Sequence, residues 1–448
     1  MATNTTPASS SPLSSTSRII QLAATISSSV AKLQEILDAA GSPSPSFDQD
    51  APVAPLPREA LAFQDAVLDA TAELHDLLLE PIELIFSHGA HNNMACLQAI
   101  GRFNIAALVP LAAAATTSFE DIAAKTGLSL SMTRRLVRHA MTMRIFCEPQ
   151  PGFVGHTQAS RWLAVPHNST WITTAGDEMW PATLKMIESA HTYPDSQEAS
   201  QSGFSLANNT TQSIYDVMAM DPPRAQRFAT AMHAYAGSPG FDAAHVLDHH
   251  DWASLGPAKV VDVGGSQGHI ARALASRFPE LDITVQDFAP VIQGAEDALP
   301  PDLRPRVRFM AHNFFAPQPL RADVYYCRWI FHNWTDKYAV LILRGLASAM
   351  TPGSRLLIQE ICMPEPGEIA HWRDKMYRAM DLNMAAVFNS HERTVSQWET
   401  LLAEADPRFQ LRDVVSPPGS VLSLFDVRWN ATEEMVEGRP KSGGSYLV

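Results

Sequence analysis

Basic residues are under-represented in this sequence. Lysine and arginine number 33 among 448 residues, against 47 aspartates and glutamates, which gives a formal net charge of -14. A protein that binds a phosphate backbone or an anionic membrane surface needs a basic face. We therefore expect neither a nucleic acid nor a membrane as a partner.

Cysteine is also scarce. None of the four cysteines belongs to a C-x-x-C pair or to a His cluster with zinc-finger spacing. They lie far apart, at Cys96, Cys147, Cys327 and Cys362. This usage is typical of reduced thiols in the cytoplasm, so we predict a cytoplasmic protein without a bound metal.

Long apolar runs are missing as well. The most apolar stretch, residues 105–115, contains Pro110 and is shorter than the roughly 18 residues that a membrane span requires. The first residues lack the apolar segment of a secretory signal and have few arginines, so no targeting segment is predicted. We expect residues 1–17 to form a disordered tail.

Apolar residues are nevertheless plentiful, at 46% of the chain, which is enough to bury a large core. From residue 259 onward, strand and helix patterns alternate: KVVDV, GHIARALASRF, LDITVQD, VRFMAHN, ADVYYCRW, a helix over 338–350, and SRLLIQEI. The alternation predicts an α/β fold with a mostly parallel, Rossmann-like sheet. The run FQLRDVVSPPGSVLSLFDVRW predicts an antiparallel hairpin that closes this sheet.

A helix-turn-helix pattern precedes this region. Residues 118–121 form a capping box that opens a short helix ending at Gly127, and residues 131–143 give a second helix. The run IFCEPQPGFVGHT predicts a β-wing, so the segment resembles a winged helix. Two interpretations are open, DNA binding through arginines of the second helix or a packing and dimerisation module, and the acidic balance of the chain favours the module. The arginines are Arg134, Arg135 and Arg138.

A glycine-rich turn follows the first strand of the alternating region. The strand KVVDV runs directly into Gly264-Gly265-Ser266-Gln267-Gly268, where a helix begins and where glycines let a ligand approach the backbone. About twenty residues later Asp287 ends the second strand, where its carboxylate can accept hydrogen bonds from ribose hydroxyls. These features together predict a site for an adenosine-type ligand.

The glycine spacing distinguishes two classes of ligand. A dinucleotide-binding G-x-G-x-x-G motif needs glycine where this chain has Val263, which disfavours a dehydrogenase. The sequence D-V-G-G-S-Q-G, with Asp262 on the strand, looks like the first motif of class I methyltransferases. Their sulfonium cofactor, S-adenosylmethionine, has no pyrophosphate, and Asp262 can lie near its charged amino-acid portion.

Polar residues follow two later strands. The fourth strand leads into R-W-I-F-H-N-W-T-D, which contains His332, and the fifth ends in Q-E-I-C-M-P, which contains Glu360. Ligands of open α/β sheets bind beyond the carboxyl ends of the strands, so both side chains should face one crevice. A loop segment further on, H-E-R-T, supplies Glu392.

These motifs resemble those of the plant- and fungal-type small-molecule O-methyltransferases. The resemblance spans residues 95 to 448, and R-W-I-F-H-N-W-T-D is similar to the family's K-W-x-x-H-D-W-x-D. It implies S-adenosylmethionine as cofactor, His332 as general base, and Glu360 and Glu392 as the carboxylates that orient this base. It also implies that the winged-helix-like segment dimerises the protein and contributes to the partner's active-site wall, so we expect a homodimer.

The resemblance assigns cofactor contacts too, and the chain departs from the family at several positions, including H-E-R-T in place of the family's K-E-R-T. Asn313 stands where the family has an acid for the adenine, Arg328 replaces a lysine, and Asn333 replaces the aspartate after the histidine. Asn313 is still expected to hydrogen-bond the adenine amino group. The expected cofactor-binding residues are Asp262, Gly264, Gly265, Gly268, Asp287, Phe288, Asn313, Phe314 and Arg328.

The acceptor pocket is expected to have flat, apolar walls that suit a small aromatic substrate. By the resemblance, several of these walls come from helical segments between the winged-helix-like module and the C-terminus. Methionine and aromatic side chains at helical spacing are more often core residues, so both roles remain open for these positions. The residues are Met179, Trp180, Met232, Asn333, Met384 and Phe388.

The leading hypothesis is transfer of a methyl group to a phenolic hydroxyl on a polyketide-, anthraquinone- or flavonoid-like scaffold. The alternatives are an N- or C-methyltransferase on the same fold, and a winged-helix regulator with a degenerate methyltransferase domain. Five segments are predicted: a disordered tail over 1–17, a helix and Pro-rich linker over 18–57, a helical winged-helix-like dimerisation domain over 58–170, a helical connector and substrate-pocket wall over 171–245, and a cofactor-binding catalytic domain over 246–448.

Overall fold

The computed structural model describes residues 17–430. The predicted tail, except for Ser17, therefore lies outside the described residues, as do residues 431–448 of the predicted catalytic domain. The chain forms two compact units. The first comprises the described residues up to Ser46, together with Pro52–Ala90 and Ala370–Trp372, and the second comprises Phe47–Ala51, His91–Ile369 and the described residues from Arg373 onward.

The first unit is helical. Its helices are α1 (Arg18–Ala40), α2 (Leu61–Leu77) and α3 (Pro81–Ser87). Helix α1 ends at Gly41, whose φ of 62° is a left-handed cap that glycine adopts without strain. The Pro-rich run after it forms no helix, because proline lacks the N–H that a helix interior needs. Pro81 occupies the start of α3, where that N–H would have no helical partner.

The first part of the second unit contains the predicted pair of helices and the hairpin. Its first elements are α4 (His91–Arg102), α5 (Ile105–Leu108), β1 (Thr116–Ser118), α6 (Phe119–Thr126), α7 (Leu130–Thr142), β2 (Cys147–Gln150) and β3 (Phe153–Gly155). Ser118 and Ser129 cap α6 and α7, since each hydroxyl accepts a backbone N–H of the first turn. Strand β3 pairs antiparallel with both β1 and β2. The helices and the hairpin thus lie where the sequence pattern predicts them.

Two of the three arginines that a DNA-binding interpretation would use make ion pairs within this module. Arg134 pairs with Glu120 at 2.6 Å. Arg138 donates two hydrogen bonds to Glu148, each of 2.8 Å. The carboxylates offset part of the positive charge that would attract a phosphate.

The middle of the second unit is helical. Its helices are α8 (Gln158–Leu163), α9 (Pro166–Thr174), α10 (Trp180–Thr192), α11 (Gly203–Ala207), α12 (Ile214–Met220), α13 (Pro222–Ala236) and α14 (Ala244–His249). Between α9 and α10, Ala175–Met179 form a single π-helical turn, a feature that is frequent at functional sites. Across residues 17–430, no helix is both long and apolar enough to cross a membrane.

The rest of the second unit is built around a seven-stranded sheet. Its strands are β4 (Ala258–Val263), β5 (Leu281–Asp287), β6 (Val307–Ala311), β7 (Val324–Arg328), β8 (Arg355–Glu360), β9 (Phe409–Val415) and β10 (Ser423–Trp429), and its helices are α15 (His269–Arg277), α16 (Ala289–Ile292), α17 (Asp336–Ala347), α18 (His371–Phe388) and α19 (Val395–Ala405). The strand order is β6-β5-β4-β7-β8-β10-β9, parallel from β6 to β8 and antiparallel at β10. The predicted α/β fold class and its C-terminal hairpin are confirmed.

The sheet is buried on both faces. Val261 and Val263 of β4 pack in one apolar cluster and Val260 in another, because successive side chains of a strand point to opposite faces. Parallel pairing aligns Val263 with Gln286 and Cys327 on the neighbouring strands. The segments that leave β4, β5 and β7 therefore start side by side at one edge of the sheet, which is where ligands of such folds bind.

Candidate active site

The turn after β4 requires glycine at two positions. Gly264 and Gly268 have φ values of 70° and 72°, a left-handed conformation that other residues rarely adopt. A Cβ on Gly268 would lie 2.9 Å from Cζ of Phe309, and one on Gly264 would overlap the side chain of Ile330. The turn therefore keeps a bare backbone at the edge of the sheet.

A buried carboxylate lies against this turn. Asp262, near the end of β4, is buried, and a Cβ on Gly265 would collide with its carboxylate. Burial, and after it the nearby carboxylate of Asp287, raise the pKa of Asp262 to about 7, although Arg328 acts in the opposite direction. A carboxylate in this environment is stabilised by a cationic ligand group, since an opposite charge favours its ionised form.

Asp287 holds the same turn from the neighbouring strand. Its Oδ2 accepts the backbone N–H of Ser266 at 2.9 Å, and its Oδ1 accepts that of Phe288 at 2.7 Å. Burial raises the pKa of Asp287, and these two hydrogen bonds oppose the rise. The carboxylate is thus fixed at the end of β5, with lone pairs left for further donors.

Three other predicted cofactor residues have different surroundings. Asn313 accepts the backbone N–H of Phe315 at 3.1 Å through its Oδ1, and so its NH2 group is not used in that bond. Phe314 packs edge-on against Trp334, with 6.0 Å between the ring centres. Phe288 is half exposed, at 51%.

Arg328 is held inside the protein. Its guanidinium donates to Oε1 of Gln359 at 3.1 Å and to the carbonyl of Phe241 at 2.6 Å, and it lies 5.0 Å from the ring centre of Trp329. The side chain is buried. These contacts fix Arg328 beside the first residues after β7, and its contact with a cofactor stays a prediction.

His332 and Glu392 form a buried pair. Nδ1 of His332 lies 2.9 Å from Oε1 of Glu392, whose side chain is 0% exposed, and the imidazole is 9% exposed. An ionised carboxylate can only accept a hydrogen bond, so Nδ1 carries the proton and Nε2 has the lone pair. Among the described residues, no side chain or backbone group hydrogen-bonds Nε2. Nε2 is therefore the ring nitrogen that a ligand can contact.

The pKa of His332 is set by opposing effects. Burial lowers it, because a charged imidazolium loses hydration, whereas the carboxylates of Glu392 and Glu360 raise it. The net pKa lies above its ordinary value of 6.5. The protonated imidazole of His332 is therefore more stable beside Glu392 than a histidine side chain is in water. This makes the neutral ring a better proton acceptor.

Glu360 contacts the backbone of the histidine loop. Its Oε1 accepts the N–H groups of Ile330 and Phe331, and its Oε2 accepts that of His332 at 3.0 Å. Glu360 is buried, which raises its pKa. The two glutamates that the sequence groups together therefore have different contacts: Glu392 binds the imidazole, and Glu360 binds the loop that presents it.

Half of the predicted substrate residues lie in or against one apolar cluster of the second unit. Met384 and Phe388 are 6% and 7% exposed and pack there, and Met179 packs against the same cluster. Trp180 and Met232 are half-buried. Asn333 donates to the carbonyl of Trp329 at 3.3 Å. The sequence analysis left two roles open for these six residues, as part of the core or as walls of the acceptor pocket. Both roles stay predictions.

Aromatic residues that the sequence did not single out lie beside the histidine loop. Trp329, with a strained φ of 54°, stacks on Tyr235 at 6.1 Å, and Tyr235 stacks on Trp171 at 4.4 Å. On the other side, Tyr215 stacks on Trp334 at 5.2 Å. Trp171, Tyr215 and Tyr235 come from α9, α12 and α13, which are remote in sequence, so no local pattern pointed to them. Within residues 17–430, no group of three or more His, Cys, Asp or Glu side chains could hold a metal ion.

Comparison with known families defines the class of protein. Residues 196–407 match the O-methyltransferase domain, and residues 87–166 match the O-methyltransferase dimerisation domain. The chain belongs to this family of O-methyltransferases, which confirms the resemblance predicted from its motifs.

Individual relatives match over almost the whole chain. O-methyltransferase PaMT of Phomopsis amygdali is 45% identical over 417 residues, which cover 93% of this chain and 97% of PaMT. The chlorophenol O-methyltransferase of Trichoderma longibrachiatum is 33% identical over 428 residues, which cover 93% of this chain and 91% of that enzyme. The crystal structure of OxaC has the same fold, with a TM-score of 0.75 and 21% identity over 92% of this chain and all of OxaC.

Proposed function

We propose that this O-methyltransferase transfers the methyl group of S-adenosylmethionine to a phenolic hydroxyl of a small aromatic molecule, with His332 as general base. The observation that carries the proposal is the 2.9 Å contact between Nδ1 of His332 and Glu392, which leaves Nε2 free at the edge of the sheet where the glycine turn lies. The relative named for chlorophenol supports a phenolic acceptor.

The residues around the glycine turn fit the proposed cofactor. The bare backbone at Gly264 and Gly268 leaves room for a close ligand, and Asp287 at the end of β5 suits the ribose hydroxyls. The buried Asp262 suits the cationic amino-acid portion. When bound, S-adenosylmethionine supplies an activated methyl group on its sulfonium. The remaining cofactor residues, Phe288, Asn313, Phe314 and Arg328, complete the proposed site.

The histidine pair supplies the proton transfer. A phenol with a pKa of about 10 is mostly protonated at neutral pH, so its oxygen becomes a good nucleophile only when a base removes the proton. Nε2 of His332 accepts this proton, and Glu392 stabilises the imidazolium that forms. Glu360 keeps the loop backbone in place throughout.

The acceptor pocket and the quaternary structure are part of the same proposal. Aromatic rings around the histidine loop, with the predicted wall residues Met179, Trp180, Met232, Asn333, Met384 and Phe388, offer flat surfaces to a planar ring. The matched dimerisation domain supports a homodimer as the working form.

The test combines labelled S-adenosylmethionine with a panel of phenols and compares the wild-type protein with His332→Ala. We expect the variant to bind the cofactor normally and to lose at least about 100-fold in turnover, because general-base assistance contributes roughly 10²- to 10⁴-fold. Calorimetry with S-adenosylmethionine checks the binding. Turnover within about threefold of the wild type would remove His332 from the role of base.

A further inference from the structure

An arginine next to Glu392 is completely buried. Arg393 is 1% exposed, and the removal of a guanidinium from water is unfavourable unless its donors are satisfied. Its Nη1 donates to the carbonyl of Phe331 at 3.0 Å, and its Nη2 donates to the carbonyl of Trp334 at 2.8 Å. Nε and Nη2 also bind Oδ1 of Asp336, at 2.9 and 2.7 Å. All three partners lie in residues 331–336, the segment that follows Ile330, contains His332 and leads into α17.

The partners of Arg393 lie on both sides of His332 in sequence. Phe331 precedes the histidine directly, and Trp334 and Asp336 follow it. The backbone of Arg393 is anchored as well, because its carbonyl accepts the N–H of Met363 at 2.9 Å. One residue thus joins the loop of His332, the segment of Glu392 and the chain that leaves β8.

Arg393 and Glu360 bind opposite backbone groups of this loop. Phe331–Asn333 form a single 3-10 turn, in which the carbonyl of Phe331 accepts the N–H of Trp334 at 3.0 Å, and the remaining hydrogen-bonding capacity of the buried backbone needs partners of another kind. Glu360 accepts the N–H groups of residues 330–332, whereas Arg393 donates to the carbonyls of Phe331 and Trp334. The negative carboxylate of Glu360 meets N–H groups, and the positive guanidinium of Arg393 meets carbonyl oxygens. Each buried charge is therefore stabilised by its contacts with the loop.

We propose that Arg393 is a positioning residue, whose planar guanidinium holds residues 331–336 so that His332 stays within hydrogen-bond reach of Glu392. This inference rests on the proposed role of His332 as base. This geometry needs an arginine, because the nitrogens of its planar guanidinium are spread widely enough to reach two carbonyls and a carboxylate at once. Lysine has a single ammonium nitrogen, which cannot reach all three acceptors.

The test measures kcat and KM for Arg393→Lys in the full chain. We expect kcat to fall about 10- to 100-fold, since small displacements of a reacting group have effects of that size, and the KM for S-adenosylmethionine to stay within about twofold. Arg344→Lys is the matched control, because Arg344 also donates to two carbonyls, those of Glu404 and Ala405, away from the histidine loop. It should keep wild-type kcat.

A double variant separates positioning from a general effect on folding. In a His332→Ala background, Arg393→Lys should reduce turnover by less than about twofold, because a residue that acts through His332 has nothing left to position. An equal loss in both backgrounds, or a kcat for Arg393→Lys equal to that of Arg344→Lys, would overturn the inference. If His332→Ala itself keeps its turnover, the proposed function fails first, which is a distinct result.

The pH dependence of kcat/KM separates the effect of the planar shape of the Arg393 guanidinium from the effect of its charge. Arg393→Lys keeps the positive charge but loosens the contact with Glu392 that raises the pKa of His332, so the acid limb of kcat/KM should move to lower pH while kcat falls. Arg393→Met loses the same planar guanidinium and also removes a charge that lowers the pKa of His332, so its limb should lie at higher pH than that of Arg393→Lys. If that variant does not fold, Asp336→Asn tests the same clamp from the other side, and its kcat should fall without a change in KM for the cofactor. A wild-type kcat for Asp336→Asn would count against the inference.

Discussion

The two ring nitrogens of His332 have different surroundings. Nδ1 is bound by Glu392, which fixes the tautomer, while Nε2 has no hydrogen-bond partner among the described residues. Burial lowers the pKa of the ring, and the two glutamates raise it beyond that effect. Because a base must be unprotonated before it can accept a proton, the proposed role requires a pH above this raised pKa.

At this residue we predict the pH dependence of the reaction. For the wild type, kcat/KM should rise with pH along a limb whose midpoint lies above 6.5, the ordinary pKa of histidine. Glu392→Gln removes the carboxylate that raises the pKa, so the limb should move to lower pH and the maximal rate should fall. The profiles should be measured with a phenol that stays protonated across the range. Glu280→Gln, an exposed site, is the control, and an unmoved limb in Glu392→Gln would contradict the assignment.

Asp287 has two tasks at one position, since it binds the glycine turn and faces the proposed ribose site. We predict that Asp287→Ala weakens the binding of S-adenosylmethionine by about 1.5–3 kcal/mol, the range for hydrogen bonds to a charged group. Isothermal calorimetry measures this directly. Asp282→Ala on the same strand, where the carboxylate pairs with Arg308 at 2.5 Å, should leave the affinity unchanged. Equal affinity in the wild type and Asp287→Ala would exclude the ribose contact.

At the scale of elements, the turn between β4 and α15 combines backbone strain and close packing. Gly268 stands at the start of α15 with a left-handed backbone, and its missing Cβ leaves room for Phe309 of β6. Gly294 has a similar φ of 76°, but nothing lies within 4 Å of its Cβ position. A substitution at Gly294 therefore reports the cost of backbone strain alone, whereas one at Gly268 reports strain together with the steric clash.

We predict that Gly294→Ala lowers stability by about 1–2 kcal/mol, the cost of a left-handed alanine. Gly268→Ala should lower it by at least about 1 kcal/mol more, because the new methyl group displaces Phe309, and it should also weaken cofactor binding. Calorimetric unfolding without cofactor ranks the two variants. Equal unfolding temperatures for the two variants would contradict the prediction, because they would mean that Phe309 moves aside without a cost in stability.

Elements were largely predictable because their signals are local. The strands, the glycine turn and the C-terminal hairpin lie where their patterns place them. Boundaries were less certain: the helix expected over 131–143 is α7 (Leu130–Thr142), because Ser129 is the residue whose side chain caps it. The helix expected over 338–350 is α17 (Asp336–Ala347). A helix begins after the residue whose hydroxyl accepts a free backbone N–H of the first turn. Where two serines lie close together in the sequence, the sequence alone does not show which of them does so.

At the scale of the whole molecule, the family places a dimerisation domain at residues 87–166 and the O-methyltransferase domain at residues 196–407. The proposed homodimer predicts a mass in solution twice that of the chain, which light scattering after size exclusion measures. It also predicts that activity per chain falls on dilution below the dissociation constant of the dimer, since the family resemblance implies that a partner contributes to the active-site wall. A fully active monomer would contradict this.

The sequence by itself determined the order of strands and helices, the glycine turn and the motif around His332, because each depends on residues close together in the chain. Only the tertiary structure decided which carboxylate binds the imidazole and which binds its loop, that Arg328 is held by Gln359 and Phe241, and that Tyr215 and Tyr235 stack beside the histidine loop. The physical reason is that hydrogen bonds and ring contacts act over a few ångströms in space. Residues that are dozens or hundreds of positions apart meet only after the sheet and its helices have packed.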